Sequence, residues 1–223
     1  MLKPKRKITK QNLKEDKLVK TTLQVKNYLE ENSKQVFYFV SGVLLVILII
    51  MWYRYYSQKT NEEAIAQLGM AQIEFTNGNY DKATKRLLTL IQEYNNTIEA
   101  EQGMFLLANI YYQQNNFPQA RQYFKEFVDS YSGSPILLAS GYAGLAACYE
   151  TENNFTEAGR FYEKAAREAG EFIEADEYCF LAGICYKKAG ETNKAKKQFE
   201  SLIKESKSGN RSKDAESQLM LLQ

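Results

Sequence analysis

The chain contains no histidine. That removes the commonest general base and metal ligand, together with every Ser-His and Cys-His nucleophile pair. Its three cysteines form no CxxC pair, and Cys179 and Cys185, six residues apart, fall on different faces of any helix that holds both. Cys148, Cys179 and Cys185 are therefore expected to act as small buried hydrophobes. No glycine-rich phosphate loop, HExxH or EF-hand spacing is present. Carboxylates alone can hydrolyse glycosides, but here they are scattered at solvated helix positions. No catalytic, cofactor-binding or metal-binding residue is assigned, and the chain is expected not to be an enzyme.

A large net charge is missing too, but only on average. The net charge of +2 divides unevenly: residues 1–35 hold ten basic residues against four acidic, or +6, and the rest hold nineteen against twenty-three, or −4. The larger part carries no positive field, so nucleic acid is not an expected partner.

Between these parts lies VFYFVSGVLLVILIIMWY, residues 36–53, eighteen residues without a charge. A helix of that length falls at the short end of what spans a hydrocarbon core. Tyr38 at one end and Trp52, Tyr53, Tyr55 and Tyr56 at the other suit the headgroup region. A buried core helix would still need polar residues on a solvent side, and this run has none. The sequence predicts a transmembrane helix over 36–53, with the basic head cytoplasmic by the positive-inside rule and the domain beyond it extracytoplasmic. The head is too long for a cleaved signal peptide, and bulky WYRYYSQK follows the apolar run where a small-x-small site belongs.

The predicted layout is a basic head over 1–35, disordered to about residue 20 and then forming a short amphipathic helix from Thr21. The span occupies 36–53, a juxtamembrane connector 54–61, and the main domain 62–223. That domain is an internal repeat. FTNGNYDKA, YQQNNFPQA, ETENNFTEA and KKAGETNKA align on Ala83, Ala120, Ala158 and Ala195, at spacings of 37, 38 and 37. Twelve residues before each stands a small residue: Ala71, Ala108, Ala146 and Gly183. Tyr111, Tyr149 and Tyr186 follow three of these by three positions, and Leu87, Phe124, Tyr162 and Phe199 follow the shared alanines by four.

Each unit reads as two antiparallel helices around a turn rich in Asn and Gly, residues that tolerate the left-handed backbone ending a helix. Small residues let the helices approach where they cross, and the aromatics fill the space beside the crossing. Units are expected at about 64–97, 101–134, 139–172 and 176–209, with a capping helix at about 212–222. No stretch alternates with period two for long enough to suggest a strand, so the fold class is all-α.

In the third unit, Ala146, Tyr149, Asn153, Phe155, Ala158 and Tyr162 stand in the order found in the tetratricopeptide repeat (TPR), which this chain resembles over about residues 62–209. Two departures are visible. The period exceeds the usual 34, and the first unit has Glu74 and Phe75 where a Tyr belongs. The resemblance implies a right-handed superhelix whose first helices line a concave groove. Mapped onto this chain, that groove shows Leu68, Gln72 and Phe75; Phe105, Asn109 and Tyr112; Ala143, Ala147 and Glu150; and Phe180, Ile184 and Lys187. Aromatics, small residues and amides suit an extended peptide or a partner helix. Clamping of a terminal carboxylate is not expected, because Asn109 stands nearly alone among apolar neighbours.

The order of parts (basic head, VKNYLEENSKQ, one span, Trp-Tyr-Arg-Tyr, then repeats) is similar to the YfgM-like family of single-span inner-membrane proteins. That resemblance implies translocon subunits, a periplasmic chaperone or unfolded exported chains as partners, and no small-molecule substrate. Another envelope-assembly or cell-division complex is an alternative. So is a cytosol-facing import receptor, although that topology would require the +6 head to be translocated.

Overall fold

The computed structural model describes residues 10–206, 209 and 211–222. Among these residues it contains ten α-helices and no strand. They are α1 (Lys10–Glu31), α2 (Ser33–Thr76), α3 (Tyr80–Glu93), α4 (Ile98–Gln113), α5 (Phe117–Ser130), α6 (Pro135–Thr151), α7 (Phe155–Ala169), α8 (Glu174–Lys188), α9 (Thr192–Glu205) and α10 (Ser212–Met220). The chain divides into two compact units, Met1–Gln58 and Lys59–Gln223.

In the first unit the head differs from expectation. Disorder was expected to about residue 20, whereas α1 is already helical from Lys10; residues 1–9 lie outside the described residues. Val25 and Leu29 are exposed. The apolar run is helical throughout and uncovered, Leu48 being 65% and Trp52 67% exposed. By length and composition, α2 can cross a membrane. Ser41 Oγ donates to the Phe37 carbonyl at 2.7 Å within the helix. Residues 54–61, expected as a connector, are helical.

In the second unit, the last part of α2 pairs with α3, and α4–α5, α6–α7 and α8–α9 form three further hairpins. Their turns share one geometry. Gly78, Asn115, Asn153 and Gly190 have φ of 75°, 59°, 58° and 76°. In each turn the next N–H reaches the carbonyl five residues back: Asn79 to Glu74, Asn116 to Tyr111, Asn154 to Tyr149 and Glu191 to Tyr186, at 2.8–2.9 Å. That bond ends the first helix, and only Gly or Asn meets the left-handed position cheaply.

At the crossings Ala71, Ala108, Ala146, Ala83, Ala120, Ala158 and Ala195 are fully buried. A Cβ on Gly183 would come within 2.5 Å of the Phe199 ring, so glycine sets that approach. Tyr111 stacks on Tyr123 with centroids 5.7 Å apart, and Tyr149 on Phe161 at 5.4 Å. Leu87, Phe124, Tyr162 and Phe199 are buried beside them. Successive helices pack against each other from α3 to α10. α6 opens at Pro135, whose missing N–H costs nothing in a first turn. This architecture is an all-α, TPR-like superhelical stack.

Candidate binding groove

Position in the hairpin decides which side chains the first helices can offer. Each of α4, α6 and α8 packs against the second helix of its own hairpin and that of the one before. What these contacts leave is a narrow, half-buried stripe. Phe105, Asn109, Tyr112, Ala143, Ala147, Glu150, Phe180, Ile184 and Lys187 all lie on it, partly accessible.

The first hairpin is different. Gln72 is exposed and Phe75 half-buried, but Leu68 is buried in the core with Ala64, Ala71, Leu87 and Leu90. Leucine is shorter than the Phe105 and Phe180 that hold the equivalent place, and its side chain ends inside the hairpin. Leu68 is therefore packing, not accessible lining.

Several of the others are partly committed. Phe105 packs edge-on against Phe124, centroids 5.9 Å apart, and tilted against Phe127 at 5.3 Å. The Asn109 amide donates to the Phe105 carbonyl at 2.8 Å, so its oxygen remains to accept from a ligand. Phe180 lies under the Arg211 guanidinium, 5.0 Å from the ring centre, and Lys187 Nζ donates to Gln218 Oε1 at 2.9 Å. At this end of the stripe α10 is already a neighbour.

Tyr112 and Glu150, from adjacent hairpins, are close enough to influence each other electrostatically. Burial, then Cys148 and Glu150, pushes the Tyr112 phenol up from its ordinary value. Glu150 Oε1 accepts from Lys188 Nζ at 2.7 Å, and that bond raises the lysine. Lys188 also sits 5.2 Å from the Phe155 ring centre. The sequence mapping did not include Lys188, although its separation of 38 from Glu150 is one repeat length.

Buried thiols offer little chemistry. Burial, with Glu152 second, pushes Cys148 to about 12, and burial, with Glu150 second, does the same to Cys185. Cys179 is only partly buried and reaches about 11, through burial and then Asp176; it donates weakly to the Gln198 carbonyl at 3.4 Å. Protonated thiols of this kind are poor nucleophiles and ligands. Among the described residues no three His, Cys, Asp or Glu side chains are grouped to hold a metal ion. Two hollows lie away from the stripe. One of about 310 Å³ between α7, α8 and α9 is lined by Glu163, Arg167, Asp176 and Gln198, and one of about 400 Å³ on α3 by Lys82, Lys85 and Arg86.

The model of the tetratricopeptide repeat-like domain matches residues 26–220, most of the chain. The chain belongs to this TPR-like family. No curated protein matches it. Among solved structures, the TPR fold is similar to MamA at 19% identity and a TM-score of 0.54, over 68% of this chain and 81% of that one. It is similar to YrrB, described as a TPR protein with an unusual peptide-binding site, at 15% identity and 0.55, over 71% and 75%. It is also similar to BtubC (BKLC) from P. vanneervenii at 20% identity and 0.54, over 70% and 64%. These likenesses concern the fold. TPR folds are protein-interaction scaffolds.

Proposed function

We propose that this protein is a membrane-anchored TPR adaptor. It would hold a peptide or partner helix on its first-helix stripe at the extracytoplasmic face of a bacterial inner membrane, beside the translocon. The observation that carries the reading is the pairing of an uncovered eighteen-residue apolar run in α2 with a TPR-like repeat scaffold in one chain. The family match begins at Lys26 and so takes in the apolar run as well as the repeats. The +6 head favours an inside N-terminus. Confinement to one surface raises the effective concentration of a weak binder beside its target. Translocon subunits, a periplasmic chaperone or an emerging unfolded chain are the partners that the YfgM-like order of parts suggests.

On the stripe, Tyr112 supplies a half-buried aromatic packed edge-to-face on Phe117, and Asn109 a carbonyl oxygen for a ligand's N–H. Large, rigid aromatics carry most of the energy at such surfaces. Protease treatment of intact cells and of spheroplasts tests the sidedness: protection lost when the outer membrane opens supports the reading, and cleavage only after lysis overturns it. A photoreactive residue at Tyr112 in the full chain should capture a partner that copurifies with translocon subunits. Capture only from exposed second-helix positions such as Lys125 would assign binding to the other face.

A further inference from the structure

The hollow of about 310 Å³ between α7, α8 and α9 lies away from the first-helix stripe, and its charge is mostly of one sign. Glu163, Asp176 and Glu205 line it against a single cation, Arg167. Two of the carboxylates are engaged. Glu163 accepts from Tyr186 Oη at 3.0 Å and lies 3.8 Å from Arg167 Nη2, and Asp176 accepts from Ser206 Oγ at 2.6 Å. The Glu205 carboxylate has no hydrogen bond or ion pair among the described residues. Helix ends add to this field. α7 and α9 both close against the hollow, through Gly170 and Ser206, whereas α8 opens on it with Asp176 already in its first turn. C-terminal turns favour cations. The Cys179 thiol in the wall registers the sum: after burial, Asp176, Glu205 and Glu163 all push it upward.

Gln198 shows what else an occupant must bring. It lines the hollow and is only 8% exposed. Cys179 Sγ approaches its Oε1 at 3.5 Å, but its NH2 group donates to nothing among the described residues. A buried amide donor without an acceptor is costly, so this one marks a place for an oxygen. A metal ion or a lone ammonium brings no oxygen, and among the described residues no three carboxylates or thiols are grouped to hold a metal. A basic residue within a peptide brings both parts: a side-chain cation and a backbone carbonyl a few bonds away. Gly170 and Ala175 bracket the loop joining α7 to α8, and in it Phe172 is 51% and Ile173 62% exposed. An apolar neighbour in the same peptide would rest there, where burial of its surface is favourable.

We propose that the hollow between α7, α8 and α9 is a second docking site, which takes a basic side chain of an extended partner segment with an apolar residue beside it. The cation lies among Glu163, Asp176 and Glu205, and the segment's carbonyl accepts from Gln198. Its volume is near the bottom of the roughly 300–1,000 Å³ over which ligand pockets range, and suits one side chain with its peptide group. The site rests on neither the membrane anchor nor the stripe.

The test uses the full chain in detergent and a labelled, end-blocked peptide of glycines and serines around a central Leu-Arg-Leu. Fluorescence anisotropy should show binding that weakens as salt rises. Glutamine in place of the peptide's arginine, or Glu205→Gln in the protein, should weaken it about tenfold or more, as loss of a charged hydrogen bond does. Gln198→Met, which removes the amide at similar length, should weaken it by a smaller factor with helix content and melting unchanged. Tyr112→Ala should leave it unaltered, and a photoreactive residue beside the arginine should mark Phe172 or Ile173. Equal binding of the two peptides, or none by either, overturns the proposal. Loss with Tyr112→Ala but not with Glu205→Gln also overturns it, returning the peptide to the stripe. Spermidine competing as well as the peptide itself would make the occupant a free cation, and a gain in affinity of about tenfold with Lys207→Gln would make it the chain's own lysine. Either result overturns a partner segment. Partner capture at Tyr112 reads the adaptor function separately, so either proposal can fail alone.

Discussion

First and second helices of the hairpins are built from different materials. In α4, α6 and α8 apolar and small residues are not confined to one face; from Ile136 to Glu150 no residue of α6 is fully exposed. In α3, α5, α7 and α9 one face is apolar and the other is lysine, glutamate and glutamine: in α5, Phe124 and Phe127 are buried while Lys125 and Glu126 are exposed. A helix touched from two sides needs small residues where backbones meet. The second helices α5, α7 and α9 also meet two neighbours each, but on a single face, where large residues reach across. First helices therefore set spacing, and second helices fill it.

The largest test of that difference is Phe124→Ala. Phe124 is 1% exposed and packs on Phe105 and the bare backbone at Gly144. Its loss should cost about 3–5 kcal/mol in chemical denaturation. Next comes the reciprocal change, Gly144→Val. A Cβ there would meet the Phe124 ring at 2.4 Å, and overpacking should cost about 1–3 kcal/mol. The double variant Phe124→Ala with Gly144→Val should be less destabilised than the sum of the two, since each relieves the other. Additive losses would show that the two helices do not share this space.

Much of the division was legible in advance. Ala83, Ala120, Ala158 and Ala195, with their partners twelve residues earlier, marked the crossings because close approach excludes anything larger. The Asn and Gly turns marked the reversals because few residues adopt positive φ. The stripe was less legible. The repeat mapping treated Leu68 like Phe105 and Phe180, but Ala64, Leu68, Ala71 and Phe75 also follow a helical stripe toward α3, and a short side chain stays inside it. Lys187 and Phe180 depend on where α10 comes to rest, and no local pattern records that. The helical start of α1 at Lys10 runs against its Lys-rich composition, and nothing in the structure explains it.

The thiols offer a smaller effect. Cys148 and Cys185 lie on the two-sided helices α6 and α8, so their environment reports how closed those helices are. Their folded values are raised above those of an unfolded chain, so the unfolded state loses its protons first as pH rises. Stability from these groups is complete below about pH 8.5, the free thiol value, and falls as pH climbs toward about 12. Melting temperature should drop between pH 8 and 10, and Cys148→Ala with Cys185→Ala should flatten that slope. At pH 8 a thiol reagent should modify at most Cys179 in the folded chain and all three cysteines in denaturant.

The smallest effect belongs to the outer face of the second helices. Arg121 Nη1 bonds Glu152 Oε2 at 3.1 Å, with both side chains more than 30% exposed. Arg121→Ala should cost no more than about 1 kcal/mol, and less in high salt. A larger loss would place part of the second helix in the core.

That ion pair belongs to a set. Tyr80 Oη donates to Gln113 Oε1 at 2.7 Å between the first and second hairpins, Arg121 reaches Glu152 between the second and third, and Thr156 Oγ1 donates to Glu191 Oε1 at 2.7 Å between the third and fourth. No two of these bonds use the same pair of residue types or the same repeat position. A shortened chain that skipped the third hairpin would bring Ala189 opposite Arg121, where Glu152 had been. The hairpins share one plan, yet each is keyed to its own neighbour, and shuffling their order would leave every key without its lock.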